Sequence, residues 1–197
     1  AGQKEVADQL GIPAAKVHQR VAQLKEANPM LGLRGCRLLI RFPEIADMQV
    51  RAIIEAAIIV KKRGKEVLPE IMIPLIGTVE ELSFLKKRAV HVAEEVMGKT
   101  GERVDYLIGT MIEVPRAALT ADQVATEADY FSFGTNDLTQ MGFGFSRDDS
   151  GSFLPEYVSK KILEDDPFQS LDQQGIGELV KIAAEKGRSV KSDLKLG

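Results

Sequence analysis

The chain has 197 residues, and its 44% hydrophobic content is enough to bury one core. Its 26 Lys and Arg against 29 Asp and Glu give a net charge of −3, without the basic stripe that attracts nucleic acid or an anionic membrane, so we expect neither partner. The longest apolar stretches, such as residues 52–60, are interrupted by charge well before the about 18 residues that span a bilayer. Cys36 is the only cysteine, which excludes an internal disulfide. We expect an intracellular protein, cytoplasmic or, in a plant or protist, organellar.

Helix start and stop signals recur along the chain. Thr78 and Glu81 have the spacing of a capping box, and the apolar stripe that follows them ends before Gly98. Thr120 and Gln123 repeat the spacing. The predicted helices are, in chain order, a lead-in within residues 1–27 (4–10 and 14–27), 43–63, 78–97, a short helix from 120, and 177–186 before Gly187.

Between these helices lie apolar runs of strand length. They occur at residues 36–40, 68–76, 106–114 and 130–133, with the tail 189–197 as a possible fifth. Because each of the four is followed by a helix, the order predicts an α/β fold with a parallel sheet.

Residues 141–174 are rich in Gly, Asp, Ser and Phe and lack periodicity. A loop of this length inside a compact domain is more often functional than idle, so we predict a functional loop here. We predict a single domain over residues 1–197, with this loop as part of it.

Two carboxylates follow neighbouring predicted strands. Glu113 ends one apolar run just before Pro115, and alternation puts Met111 on the same face of the strand. Asp137 lies just past the next run. Adjacent parallel strands would bring the two carboxylates together, and two oxygen ligands with open positions suit magnesium. The alternative for Glu113 alone is a surface carboxylate at a loop edge.

Two further segments have features of an anion site. Gly134 and Thr135 are expected to leave backbone N–H groups free beside Asn136, where they could hold a carboxylate or phosphate. A plain Asn-Asp turn is the alternative. Arg34 stands between two glycines at the start of the first predicted strand, where a guanidinium could reach a phosphoryl group. Arg37 is left open.

Four stretches together resemble the signature of phosphoenolpyruvate-utilising enzymes. They are NPMLGLRGCR at 28–37, EIMIPL at 70–75, IGTMIEVP at 108–115 and FGTNDLTQ at 133–140. Within that family, GFGFSRDD at 142–149, FLP at 153–155 and the run from DPF at 166–168 to LDQ at 171–173 resemble the pyruvate, phosphate dikinase branch.

The resemblance implies an incomplete (β/α)8 TIM-type barrel that binds pyruvate and phosphoenolpyruvate with Mg²⁺. It implies a transferase that exchanges a phosphoryl group between pyruvate enolate and a phosphohistidine on a separate domain, in an enzyme expected to be a homodimer. The implied roles are magnesium ligation by Glu113 and Asp137, phosphoryl binding by Arg34 and Asn136, backbone contacts from Gly134 and Thr135, and a pocket wall at Met111.

The chain departs from the family pattern at Leu33 and Leu39, and neither position is expected to be a metal ligand. The family's proton-donating cysteine would follow Gly197 and a further arginine would precede Ala1, so we expect this chain alone to be inactive. Cys36 is expected to be a buried structural thiol and not that acid, and neither His18 nor His91 resembles a phosphocarrier histidine. The alternatives are a phosphoenolpyruvate synthase-like domain and a non-catalytic fragment for folding or dimerisation.

Overall fold

A computed structural model of the chain describes residues 2–25 and 28–197. Its contacts divide the chain into two compact units, the first ending at Arg34 and the second running from Gly35 to Gly197. The first unit holds helices α1 (Gly2–Leu10) and α2 (Ala14–Leu24) and a 3-10 turn at Pro29–Leu31. Both predicted helices are present, but the second ends at Leu24, since Lys25 is extended. Positions 26 and 27 of the predicted helix lie outside the described residues.

The second unit is an α/β structure built on one parallel sheet. Its strands, in spatial as in chain order, are β1 (Glu70–Ile73), β2 (Leu107–Ile112), β3 (Tyr130–Phe133) and β4 (Lys195–Leu196). The helices are α3 (Gly35–Arg41), α4 (Pro43–Lys62), α5 (Val79–Thr100), α6 (Pro115–Leu119), α7 (Ala121–Ala125), α8 (Thr135–Phe143), α9 (Leu154–Ser159) and α10 (Ile176–Val190).

The sheet is open and curved. In β1, Ile71 and Ile73 are buried while Glu70 and Met72 are exposed, so alternate residues face the helices and the other side. Glu70 forms an ion pair with Lys195 of β4, at the other edge of the sheet. The two edges are three strand spacings apart, about 14 Å on a flat sheet, so side chains meet across them only if the sheet curls. The predicted α/β fold is confirmed, and the open curved sheet is consistent with part of a barrel.

The structure shows that the predicted strand at 36–40 is wrong. These residues belong to α3, which begins at Gly35 with a φ of 55°. The backbone N–H of Cys36 donates to the carbonyl of Pro74 at 3.0 Å, which attaches the start of the helix to the end of β1. A short apolar run fits a buried helix as well as a strand, and periodicity alone does not separate the two. The described residues therefore contain three of the four expected strands and the tail strand.

Two predicted helix ends and one predicted capping box also differ. Gly98 lies inside α5, which ends at Gly101 in the left-handed region with a φ of 71°. Gly187 lies inside α10. A Cβ there would be 2.7 Å from the Phe131 ring, so the glycine permits close packing of the helix on β3. Thr120 makes no capping box; its hydroxyl donates to the Arg116 carbonyl at 2.9 Å, between α6 and α7. The box at Thr78 and Glu81 is confirmed.

The segment 141–174 is partly helical. Helix α8 continues into it as far as Phe143, a 3-10 turn covers Ser150–Ser152, and α9 follows. An aromatic cluster of Phe143, Phe145, Phe153 and Tyr157 packs with ring centroids 5.1–6.1 Å apart. Among residues 2–25 and 28–197, no helix combines the length and the apolar character needed to cross a bilayer.

Candidate functional site

Glu113 follows β2 directly and is only 5% exposed. Its Oε1 accepts a hydrogen bond of 2.7 Å from the backbone N–H of Leu75, in the loop after β1. Leu75 has a φ of 62°, a left-handed conformation that costs a branched residue of the order of 1 kcal/mol. Strained backbone of this kind persists only where the surrounding structure holds it in place, and it is found most often at functional sites. The sequence carries no signal for this contribution from Leu75.

Glu113 lies close to the start of α8 because Gly134, the N-cap of that helix, has no side chain. A Cβ at Gly134 would be 2.6 Å from the Glu113 Cβ, 2.7 Å from its Oε2 and 2.8 Å from the Met111 sulfur. These approaches confirm that Met111 and Glu113 face the same side of β2. The expectation that the Gly134 N–H is free is wrong, since it donates to the Ile112 carbonyl at 3.1 Å and continues the β2–β3 pairing. The role of Gly134 here is its missing side chain.

Asp137 lies in the first turn of α8, whose N-cap is Gly134. It is 8% exposed, and its Oδ1 accepts a hydrogen bond of 3.2 Å from Nε2 of Gln140, one turn further on. Side chains of a helix lean toward its N-terminus, and the partial positive charge there favours anions. Glu113, against Gly134, and Asp137, one turn in, thus belong to the same end of α8.

Thr135 and Asn136 line a pocket of 290 Å³ together with Thr139, Arg147 and residues 167–171. Arg147 Nη1 donates to Asn136 Oδ1 at 2.6 Å. Arg147 lies in the stretch GFGFSRDD at 142–149, whose resemblance to the dikinase branch implies no role for this residue. Gln140 was missed in the same way, because a Gln one helical turn after an Asp carries no signal of its own.

Arg34 is the last residue of the first compact unit, immediately before α3 and not at the start of a strand. Its Nε donates to the Met30 carbonyl at 2.9 Å within that unit. Its binding of a phosphoryl group stays a prediction.

Cys36 is a buried thiol, as predicted, although in a helix. It is fully buried, and its Sγ donates to the Leu75 carbonyl at 3.2 Å. Burial, with a smaller effect of nearby Glu81, raises the pKa of Cys36 from 9.0 to about 12. The thiol is therefore protonated at neutral pH and unsuited to nucleophilic chemistry.

The carboxylates provide a small donor set. Within the described ranges 2–25 and 28–197, no group of three or more His, Cys, Asp or Glu side chains is arranged to hold a metal ion. Magnesium, however, commonly takes one or two protein carboxylates and completes its octahedron with water and substrate oxygens. Two buried carboxylates at a helix N-terminus fit that pattern, and the absent side chain at Gly134 lets one of them approach the backbone.

Residues 2–192 match the family model described as "PEP-utilising enzyme, PEP-binding domain". The chain belongs to this family. Its relatives include "Pyruvate, phosphate dikinase" of Rhizobium meliloti, 59% identical over 194 residues, and that of Clostridium symbiosum, 57% identical over 196. "Pyruvate, phosphate dikinase, chloroplastic" of Mesembryanthemum crystallinum is 54% identical over 193 residues. The alignments cover 98%, 99% and 98% of this chain but 22%, 22% and 20% of those proteins. The resemblance read from the four motifs is confirmed, and the chain spans about a fifth of the length of these relatives.

Proposed function

We propose that this chain is the magnesium-dependent phosphoenolpyruvate- and pyruvate-binding part of a pyruvate, phosphate dikinase. In that reaction a phosphoryl group passes between a phosphohistidine, supplied by another domain, and the enolate of pyruvate, in an enzyme we expect to be a homodimer. The observation that carries the proposal is the approach of Glu113 to Gly134, at the same end of α8 as Asp137. The names of the relatives support the dikinase reaction over that of phosphoenolpyruvate synthase.

In this proposal Glu113 and Asp137 hold the cation. When bound, a divalent cation supplies Lewis-acid stabilisation of the negative charge on the enolate oxygen. The bond from the Leu75 N–H holds Oε1 of Glu113, so that the carboxylate is oriented before a ligand arrives. Both carboxylates are buried, and the lower effective dielectric constant of a buried site strengthens their attraction for a cation.

The phosphoryl end of the substrate is assigned to Asn136, with the backbone N–H of Thr135 and, from the resemblance, Arg34 as further contacts. Asn136 lines the pocket of 290 Å³ beside Arg147, so a phosphoryl group there would meet an amide donor near a cation. Met111, next to Glu113 and Gly134, would provide an apolar wall beside the carboxylates for the methylene carbon of the substrate.

Titration with Mn²⁺ or Mg²⁺, with and without oxalate as an enolate mimic, tests the metal site. We expect metal-dependent oxalate binding by the chain, and a loss of at least about 100-fold in metal affinity for Glu113→Gln and for Asp137→Asn, since each removes one of two charged ligands. Glu94→Gln is the matched control, because Glu94 pairs with Arg103 on the surface, and it should bind as the parent does. Unchanged metal-dependent oxalate binding in both site variants would contradict the proposal.

A further inference from the structure

Arg147, in the predicted functional segment 141–174, donates hydrogen bonds to two side chains of α8. Its guanidinium Nη1 donates to Asn136 Oδ1 at 2.6 Å, and its backbone N–H donates to Gln140 Oε1 at 2.9 Å. Gln140 in turn donates from Nε2 to Asp137 Oδ1 at 3.2 Å. One residue of the loop therefore reaches both Asn136, directly, and Asp137, through Gln140.

Arg147 is itself held in place from two sides. Its guanidinium carbon lies 5.8 Å from the centroid of the Phe168 ring, a cation–π distance. Its carbonyl accepts a hydrogen bond of 3.0 Å from the hydroxyl of Ser150, which is buried. Phe168 and Ser150 both lie in the segment 141–174, so the folded loop determines where Arg147 points.

We infer that Arg147 is a positioning residue that sets the orientation of Asn136 and, through Gln140, that of Asp137; the inference rests on the proposed function. An amide group has an acceptor oxygen and a donor nitrogen on opposite corners, and a guanidinium has donors only. Arg147 can therefore bind Asn136 only through Oδ1, which leaves Nδ2 as the group that faces a ligand. A phosphoryl oxygen requires a donor, whereas the opposite orientation would present a carbonyl oxygen to an anion.

The contacts from Arg147 through Gln140 to Asp137 fix an amide orientation in the same way. The N–H of Arg147 occupies the acceptor end of Gln140, so the end that meets Asp137 is the amide donor. A donor on Oδ1 limits rotation of the Asp137 carboxylate. Partners of this kind orient metal ligands, and their loss typically lowers metal affinity by about 10- to 100-fold.

The contact with Asn136 and the contact with Gln140 can be separated by mutation, because the first uses the side chain of Arg147 and the second its backbone N–H. Arg147→Met removes the contact to Asn136 and keeps the N–H that binds Gln140. Gln140→Met keeps the length of the side chain and removes the donor to Asp137. Arg147→Lys retains a cation that can reach Asn136, and Arg103→Met, which breaks an exposed pair with Glu94, is the matched control.

Calorimetry with Mn²⁺, and with oxalate and phosphoenolpyruvate at saturating Mn²⁺, gives the readout. We expect Arg147→Met to weaken phosphoenolpyruvate binding about 10-fold or more, since a hydrogen bond to a charged group is involved, with Mn²⁺ and oxalate affinities within about 3-fold of the parent. Arg147→Lys should restore most of the loss. Gln140→Met should weaken Mn²⁺ binding by about 10-fold or more, and Arg103→Met should change nothing.

Equal losses for oxalate and phosphoenolpyruvate in Arg147→Met would overturn the inference, because they would show a general role of Arg147 in folding the loop. Unchanged phosphoenolpyruvate binding in that variant, or unchanged Mn²⁺ binding in Gln140→Met, would overturn it as well. Failure of the proposed function looks different: the parent chain itself would not bind Mn²⁺, or Glu113→Gln would bind it normally.

Discussion

Two carboxylates at opposite ends of the strands of the same sheet have different surroundings. Asp129 precedes β3 at the amino edge; its Oδ2 accepts from the Ile108 N–H at 2.8 Å and its Oδ1 from Lys86 Nζ at 3.1 Å. Glu113 follows β2 at the carboxyl edge, where its Oε1 accepts from the N–H of Leu75, a residue in a strained conformation. Glu113 is the more deeply buried of the two.

This difference in surroundings agrees with a general rule for parallel α/β barrels. Residues at the amino ends of the strands stabilise the fold, and active sites lie at the carboxyl ends. Asp129 links α5 to the β2–β3 pair through a cation and an amide, so its charge is neutralised within the fold. Glu113 is instead oriented beside Gly134 at the start of α8. Mutations should therefore separate stability from ligand binding according to the edge they affect.

The largest effect is expected from Gly134→Ala. An added Cβ would be 2.6 Å from the Glu113 Cβ and 2.8 Å from the Met111 sulfur, so the carboxylate must move, and a displacement of about 1 Å can cost about 100-fold in function. We expect metal-dependent oxalate binding to fall by about that factor. The measurement is the Mn²⁺ and oxalate titration.

Gly98→Ala provides the control for this substitution. Nothing lies within 4 Å of a Cβ at Gly98, on an exposed part of α5, so this change should stabilise the chain by about 0.5–1 kcal/mol and leave binding intact. Normal oxalate binding in Gly134→Ala would show that the glycine is not needed for the position of Glu113.

A smaller effect, on stability instead of binding, is expected from Asp129→Asn. The variant weakens the bond to Lys86 and leaves that partly buried amine less well compensated, which should lower the free energy of unfolding by about 1–2 kcal/mol. Mn²⁺ affinity should stay within about 2-fold of the parent. Urea denaturation and metal titration of the same samples measure both quantities.

Glu178→Gln is the matched surface control for Asp129→Asn. Glu178 pairs with Lys181 on an exposed face of α10, and such pairs contribute little. If Asp129→Asn weakened Mn²⁺ binding as strongly as Glu113→Gln, the contrast between the two edges would be wrong.

Much of the second unit could be predicted from the sequence because its signals are local. The capping box at Thr78, the Pro43 helix start and the apolar run at 130–133 each depend on a few neighbouring residues. Residues 36–40 could not be assigned in this way, since a short apolar run fits a helix or a strand and the contact of Cys36 with Pro74 joins residues far apart in the chain. The predicted end of α10 was wrong because Gly187, which permits tight packing, looks the same in sequence as a glycine that ends a helix. The predicted end of α5 was wrong because the helix continues through Gly98 to a second glycine, Gly101.

The site divides in the same manner. The placement of Glu113 and Asp137 could be predicted because each follows a strand signal in the sequence, and adjacent parallel strands end on the same side of a sheet. Their binding of a metal stays a prediction. The free N–H expected at Gly134 was wrong because the β2–β3 pairing extends one residue further than the strand signal. Leu75 and Gln140 act through a backbone N–H and an amide whose partners are fixed only by the folded chain.

The central claim is that a divalent cation binds beside Glu113 at the start of α8, and paramagnetic broadening by Mn²⁺ locates it most directly. The chain contains 6 methionines, whose ¹³C-labelled methyl signals can be assigned by single Met→Leu variants. Met111 lies against the Gly134 backbone beside Glu113, whereas Met48 is exposed on α4. We predict that the Met111 methyl signal broadens first, at substoichiometric Mn²⁺, and that Glu113→Gln abolishes this selectivity. Broadening of Met111 no earlier than that of Met48 in the parent chain would contradict the claim.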